Sequence, residues 1–414
     1  MNKFLNEFKD RGYFYQCTNE DELSKLLDNK SINAYIGFDS TASSLHVGSL
    51  MQIMCLRLLQ KHGHRPIVLL GGGTTRIGDP SGKEETRKIL TEKQIENNIK
   101  NIQKVFKIFL KTNNSKLKPI FVNNYKWLGK LNYIKFLREI GKHFTINKML
   151  SFESVKLRLD REQSLSYMEF NYMILQAYDF LELNRKNKCQ LQIGGSDQWG
   201  NIINGVDLIK RYSNKSSYGL TTPLITLATG AKMGKTEKGA VWLDKKLLSP
   251  FEYWQFWRNT DDRDVIKFLK MFTDLTTTEI DDQKNKNINE LKILLANNAT
   301  TLLHGKKDSE KAYKTAQDTF VNKRISTQVN LPIFNVTKNE IDKGFDILEL
   351  VLRTKLLNSK GEVRRSIKDR GIKINDIPID KDNLKILLQN FDNEKKIFKL
   401  SHGKKNHVII KLIN

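Results

Sequence analysis

Residues Ala34 to Ser49 read AYIGFDSTASSLHVGS, and the fold turns on them. The run Ala34 to Phe38 has the length and apolar content of a short buried β-strand, and it ends at Asp39. The chain then passes through Thr41 and reaches His46-Val47-Gly48-Ser49 where a helical period begins. A helix N-terminus attracts phosphate through unpaired backbone N–H groups and its dipole. His46 can add a hydrogen-bond donor there, and Gly48 leaves room for a nucleotide to approach the backbone. A loop histidine is more often a cap or a surface group, so HVGS alone leaves both readings open.

Outward from this stretch the same grammar repeats. Pro66 to Leu70, Ile120 to Val122 and Leu191 to Ile193 are short apolar runs, each followed by a Gly-containing turn or an amphipathic segment. That alternation predicts a parallel α/β sheet with its chemistry in the turns beyond the carboxyl ends of the strands. Common nucleotide templates fail by letter: Gly71 to Arg76 (GGGTTR) lacks the third glycine of a dinucleotide fingerprint. Gly78 to Glu84 (GDPSGKE) has neither the spacing nor the Ser/Thr of a phosphate P-loop. A second basic segment, AKMGKTE, clusters Lys232, Lys235 and Thr236 between glycines. Two lysines and a hydroxyl at that spacing can follow charge onto a departing pyrophosphate.

The helix-like stretch NYMILQAYDFLEL puts Tyr172, Gln176 and Asp179 at i, i+4 and i+7, on one face. Its other positions are apolar nearly all round, so the polar face is expected to be buried and in need of partners. A polar network inside the core would satisfy the same pattern.

The chain has 414 residues, 39% hydrophobic, with 24 Gly and 7 Pro, which excludes a disordered or collagen-like polymer and allows two or three domains. Its apolar stretches are broken by polar residues, as Phe170 to Leu183 is by Gln176 and Asp179, so no membrane span is expected. Cys17, Cys55 and Cys189 have no metal or dithiol spacing, and the acidic residues Glu7 and Asp10 argue against a transit peptide. A reducing, cytoplasmic setting without a structural metal follows. The net charge of +24 suits a polyanion such as RNA. Yet 53 Lys and 37 Asn also fit a base-composition bias, which leaves a merely solvated surface open.

HVGS and KMGKT together resemble the two signatures of class I aminoacyl-tRNA synthetases, and the sequence around them is similar to the bacterial-type tyrosyl-tRNA synthetases. GGTTRIGDPSGK, NYMILQAYDF, QIGGSDQWGN, LTTPLITLATGAKMGKTE and FWRNTDDRDV carry the likeness over nearly the whole chain. It departs at Ser49, where the general signature has a second histidine. The resemblance implies a Rossmann-like parallel-sheet catalytic domain over 1–245, and the helical period of Pro250 to about Val321 gives an α-helical domain over 246–325. The polar stretch Asn322 to Asn330 before LPIF reads as a linker, placed over 326–340, and by resemblance a small α+β RNA-binding domain over 341–414 would complete the chain.

The resemblance also implies roles. Tyr172, Gln176 and Asp79 would hold a tyrosine ammonium group; Tyr35 and Asp179 would take the phenolic hydroxyl, with Gln192 and Gln198 lining the same pocket. Gly37, Asp39, His46, Gly48, Gly195, Asp197, Lys232, Met233 and Lys235 would bind ATP. Thr41, His46, Lys232, Lys235 and Thr236 would surround its phosphates, with Lys83 and Arg87 on a loop nearby. ATP would arrive as its Mg2+ complex, with no other cofactor. Lys360, Arg364, Arg365, Lys368 and Arg370 would contact tRNA(Tyr), and the chain would form a homodimer. A tryptophan enzyme, and an inert RNA-binding relative, remain as rival readings.

Overall fold

The computed structural model describes residues 2–80, 90–230, 233–236, 239–320, 332–342, 344–392, 396–403 and 406–413, by backbone alone at 153, 154, 157, 235, 236 and 318–320. Lys83, Arg87 and Lys232 therefore lie outside the described residues. The chain divides into two compact units, Met1–Lys306 and Lys307–Asn414.

All four apolar runs read from the sequence are strands of one sheet in the first unit: β2 (Asn33–Asp39), β3 (Arg65–Gly71), β4 (Ile120–Asn123) and β5 (Cys189–Gly195). Two strands were not anticipated, β1 (Gln16–Cys17) and β6 (Tyr218–Thr222). One is two residues long, and the other carries Gly219 and two threonines in place of an apolar run. The sheet order is β1-β6-β5-β2-β3-β4, parallel except for β1 against β6. Helices cover both faces. Tyr35 meets Phe180 of helix Tyr172–Asn187, whereas Phe38, three residues on and so on the opposite face, meets Phe106 of helix Glu92–Phe109.

The helical stretch after Pro250 does not stand apart from this sheet. Helix Val265–Phe272 packs on Leu50–Lys61, and helix Ile288–His304 on Glu92–Phe109. Arg11, 5% exposed, donates to the carbonyls of Lys270, Thr273 and Leu275 at 2.7, 3.0 and 3.0 Å, capping the end of Val265–Phe272 from the N-terminal helix. Arg57 also meets Asp274 across the same boundary. The separate helical domain expected over 246–325 is thus part of the first unit as far as Lys306, because long-range side-chain bonds that have no sequence period join it there.

In the second unit the expected linker is corrected in its described part. Ile333–Thr337 is a strand paired in parallel with the C-terminal strand Asn406–Ile413, and Lys338–Asp342 is helical. Val336 is fully buried there, so a run that looked like spacer completes a five-stranded sheet. Helix Lys360–Lys368 buries Val363 and Ile367 and leaves Lys360, Arg364, Arg365 and Lys368 exposed, with Arg370 exposed just beyond.

The N-terminal helix is also pinned electrostatically. Burial pushes Glu7 up, but hydrogen bonds from Lys61, His62 and Arg11 at 2.7, 2.8 and 2.8 Å outweigh it and hold the carboxyl at about 2. Burial, helped by His62, pushes His64 down to about 4. Both folded values lie below the unfolded ones, so their stabilisation is present at neutral pH. It is lost as pH falls, from 6.5 to about 4 for His64 and from 4.5 to about 2 for Glu7. Thermal midpoints should fall between pH 6.5 and 4.5, and His64→Gln should flatten that fall; full protonation of His64 corresponds to about 3 kcal/mol at most. An equally steep fall in the variant would exclude His64 as its source.

Candidate active site

The order of the sheet creates the cleft. From β2 the chain moves outward to β3 and β4, then returns to the other side of β2 with β5 and β6. β2 and β5 pair from Asn33↔Cys189 only as far as Tyr35↔Gln192. Beyond that pair the strands run on to Asp39 and Gly195 unpaired with each other, and Gly37 is exposed in the gap. A crevice at such a reversal, beyond the carboxyl ends of parallel strands, is where this class of sheet binds ligands.

Asp179 lies at the closed end, 1% exposed, with both carboxylate oxygens occupied. Asn124 Nδ2 donates to Oδ2 at 2.8 Å and Trp127 Nε1 to Oδ1 at 2.7 Å. Asn124 is itself fixed, donating to Thr74 Oγ1 at 3.0 Å and accepting from Gly73 N–H at 2.7 Å. Burial pushes the Asp179 carboxyl up to about 7, against the downward pull of the two donors. Tyr35, 1% exposed, has a phenolic oxygen without a hydrogen-bond partner among the described residues, and so does Gln192 Oε1. Burial, with the charge of Asp179 adding to it, drives the Tyr35 phenol well above its ordinary value, so it stays a donor. An unused buried donor beside an occupied carboxylate is a place prepared for a polar ligand atom.

A second polar set leads outward. Tyr172 Oη donates to Asp39 Oδ2 at 3.4 Å, and Thr74 Oγ1 to Asp39 Oδ1 at 2.9 Å. Gly71 makes this possible, since a Cβ there would sit 2.4 Å from Asp39 Oδ1 and 2.5 Å from Thr74 Oγ1. Asn201 Nδ2 reaches both Gln176 Oε1 and Gln198 Oε1 at 3.1 Å, and Gln198 Nε2 donates to Asp79 at 2.9 Å and Asp197 at 3.3 Å. Gln176, Gln198 and Asp79 are thus joined in one chain of hydrogen bonds.

The two signature segments, some 190 residues apart in sequence, lie side by side. Val47 N–H donates to Val241 O and Leu243 N–H to Leu45 O, both at 2.9 Å, around an antiparallel bridge between His46 and Trp242. Lys235 and Thr236 form the outgoing strand of a hairpin whose return strand is Gly239–Ala240, leading straight into that bridge. Gly234, at φ +100°, lies against the histidine; a Cβ there would be 2.8 Å from His46 Nδ1 and 2.9 Å from Gly48 N. Gly48 N–H donates to His46 Nδ1 at 3.0 Å, so the neutral ring carries its proton on Nε2. Thr41 and Gly48 are exposed, and the buried Met233 has its carbonyl against Gly48.

Four residues of the site, Asn124, Trp127, Thr74 and Asn201, were absent from the sequence reading. Asn124 follows the strand-like run Ile120 to Val122, so the rule that chemistry lies beyond strand ends is the signal that could have found it. Trp127 and Asn201 offered no such signal, being single polar-tipped positions in ordinary helical turns.

The chain is similar to known proteins over most of its length. The family model for tRNA synthetases class I (W and Y) matches residues 27–321. A tyrosine–tRNA ligase of Pelagibacter ubique is 67% identical over 413 residues, covering 100% of both chains. One from the Wolbachia of Brugia malayi is 51% identical over 410 residues, covering 98% of each. Among solved structures, a C-terminally truncated mitochondrial tyrosyl-tRNA synthetase of Aspergillus nidulans superposes with a TM-score of 0.69 at 30% identity, over 77% of this chain and 94% of that one. With its crevice, its joined signature segments and a family match over most of its length, the chain belongs to the class I tRNA synthetases of the W and Y group.

Proposed function

We propose that the chain is a tyrosine–tRNA ligase, which joins L-tyrosine to ATP as tyrosyl-AMP with release of pyrophosphate and then passes the tyrosyl group to the terminal ribose of tRNA(Tyr). The observation that carries this is the pair Tyr35 and Asp179 at the closed end of the crevice. A phenolic hydroxyl both donates and accepts, so it can give its proton to the carboxylate and take one from Tyr35. An indole N–H only donates, and phenylalanine does neither, leaving buried polar groups stranded. The family is itself the standard case of such discrimination without an editing step.

The ammonium group of tyrosine would fall among Tyr172, Gln176 and Asp79, with Asp39 adding charge. The tyrosine carboxylate then attacks the α-phosphorus, and the bond to pyrophosphate breaks. No side chain serves as nucleophile. The protein's part is alignment and charge: Thr41, His46, Lys232, Lys235 and Thr236 would surround the β- and γ-phosphates, aided by Lys83 and Arg87. His46 supports this with its Nε2–H donor. Magnesium belongs to the ATP complex, held by phosphate oxygens and water.

The exposed bases of helix Lys360–Lys368 and Arg370 suit phosphate contacts with structured RNA, which would weaken steeply with salt. A homodimer is supported by apolar residues left open between positions 133 and 168, where Ile134, Ile146 and Tyr167 are 71, 60 and 67% exposed. Equilibrium sedimentation should give twice the chain mass. No helix among the described residues is long and apolar enough to cross a membrane. The cytoplasm, where tRNA is charged, is the proposed place of work.

ATP–pyrophosphate exchange on the full chain, run with tyrosine, phenylalanine, tryptophan and no amino acid, tests the reading. Exchange with tyrosine alone is the expected result. Exchange with tryptophan instead would move the assignment to the indole, and tRNA binding without exchange would revive an inert RNA binder.

A further inference from the structure

Helix Glu92–Phe109 buries Ile95, Ile99, Ile102 and Phe106, and among them one amide, Asn98, at 9% exposure. A polar side chain on an apolar face is costly unless it bonds, and Asn98 does so at a telling place. Its Nδ2 donates to the carbonyl of Ser40 at 2.8 Å. From the other side Ser40 N–H donates to Thr75 Oγ1, also at 2.8 Å. Ser40 is fully buried, and its hydroxyl has no partner among the described residues. The residue is therefore held by its backbone alone, through two side chains from distant parts of the chain. On one side of it is Asp39, whose carboxylate takes hydrogen bonds from Thr74 and Tyr172; on the other is Thr41, which is exposed. Thr74 and Thr75 are consecutive, so one short helix fixes the Asp39 side chain and the next peptide group together.

We propose that Asn98 is a positioning residue: with Thr75 it clamps the two peptide groups that flank the Ser40 Cα and so sets the turn that carries Asp39 to the amino acid and Thr41 to the nucleotide. The proposal rests on the tyrosine-activation reading. The reaction needs the carboxylate and the α-phosphorus in line, and small displacements of the groups that orient them are expensive in rate. Asn98 touches neither substrate. It acts through the backbone between two residues that do, and the deep tyrosine pocket around Asp179 is held independently by Asn124 and Trp127.

A split in kinetic constants is therefore expected. In tyrosine-dependent pyrophosphate exchange, Asn98→Ala should lower kcat roughly tenfold to a hundredfold while KM for tyrosine stays within about twofold. Ile102→Ala, one turn on along the same buried face, is the control for a helix that is merely less stable: its Tm should fall with kcat unchanged. Thr75→Val keeps the shape but loses the hydroxyl acceptor and should reproduce the kcat loss, whereas Thr75→Ser should restore it. If Asn98→Ala does not fold, the Thr75 pair reads the same clamp. Wild-type kcat in Asn98→Ala with Tm lowered as in Ile102→Ala would overturn the proposal, and so would a Thr75→Ser variant as slow as Thr75→Val. In either case active wild-type protein leaves the ligase reading intact. Wild-type protein inactive with every amino acid would overturn that reading and the proposal with it.

Discussion

Asp179→Asn is expected to lower tyrosine-dependent pyrophosphate exchange, as kcat/KM, by roughly a thousandfold. The native carboxylate accepts from Asn124 on one oxygen and from Trp127 on the other, and under the proposed function its remaining lone pairs would take the substrate hydroxyl. An amide has one acceptor and one donor, so whichever way it turns, an N–H faces an N–H in a fully buried site. A stranded buried donor costs about 1–3 kcal/mol, and loss of a charge-assisted bond to the substrate adds about 1.5–3 kcal/mol, so a thousandfold effect lies within the sum. The loss should fall mainly on KM for tyrosine, because Asp179 is held by Asn124 and Trp127 and not by the signature segments, which are proposed to serve the nucleotide. Protonation should imitate the substitution. With the carboxyl pushed up to about 7, acidification converts the acceptor to its neutral form. Wild-type KM for tyrosine should therefore rise as pH falls below about 7. The variant should lose that dependence. A flat wild-type profile from pH 8 to 6, or a variant with unchanged KM, would remove Asp179 from substrate recognition.

Lys235→Ala should slow the first turnover of tyrosyl-adenylate formation roughly a hundredfold or more, from loss of one preorganised charge on the developing pyrophosphate. Tyrosine affinity should stay within about twofold, since the Asp179 pocket is built from other elements. The fold of the segment should survive, because Lys235 pairs with Ala240 through its backbone and the bridge to His46 uses Val241 and Leu243. Rapid-quench measurement of the first turnover, beside equilibrium tyrosine binding, separates the two effects. An unchanged first turnover would show that Lys235 plays no part in activation. Equal losses in both would point to a disturbed site instead.

The strands that build the crevice were readable because buried parallel strands are short, apolar and bounded by turns, so Ala34 to Phe38 and Leu191 to Ile193 declared themselves locally. The same held for Tyr172, Gln176 and Asp179, whose polar face at helical spacing in an apolar helix had to find partners inside. Ile333 to Thr337 gives no comparable local signal, because Asn335 breaks its short apolar run and a polar stretch, Asn322 to Asn330, precedes it. It becomes a strand through Asn406–Ile413, more than 60 residues away.

What the sequence determined by itself was therefore local: the periodicity of the elements, the residue types at their ends, and the two signature segments with their glycines. Only the tertiary structure decided what those residues face. It brought Asn124 and Trp127 onto Asp179, set Gly234 against His46, and bonded Asn98 to Ser40 across 58 positions of chain. The physical reason is that a hydrogen-bond partner is chosen by direction and distance once the layers are packed. No sequence period records that choice when the two partners lie on different elements.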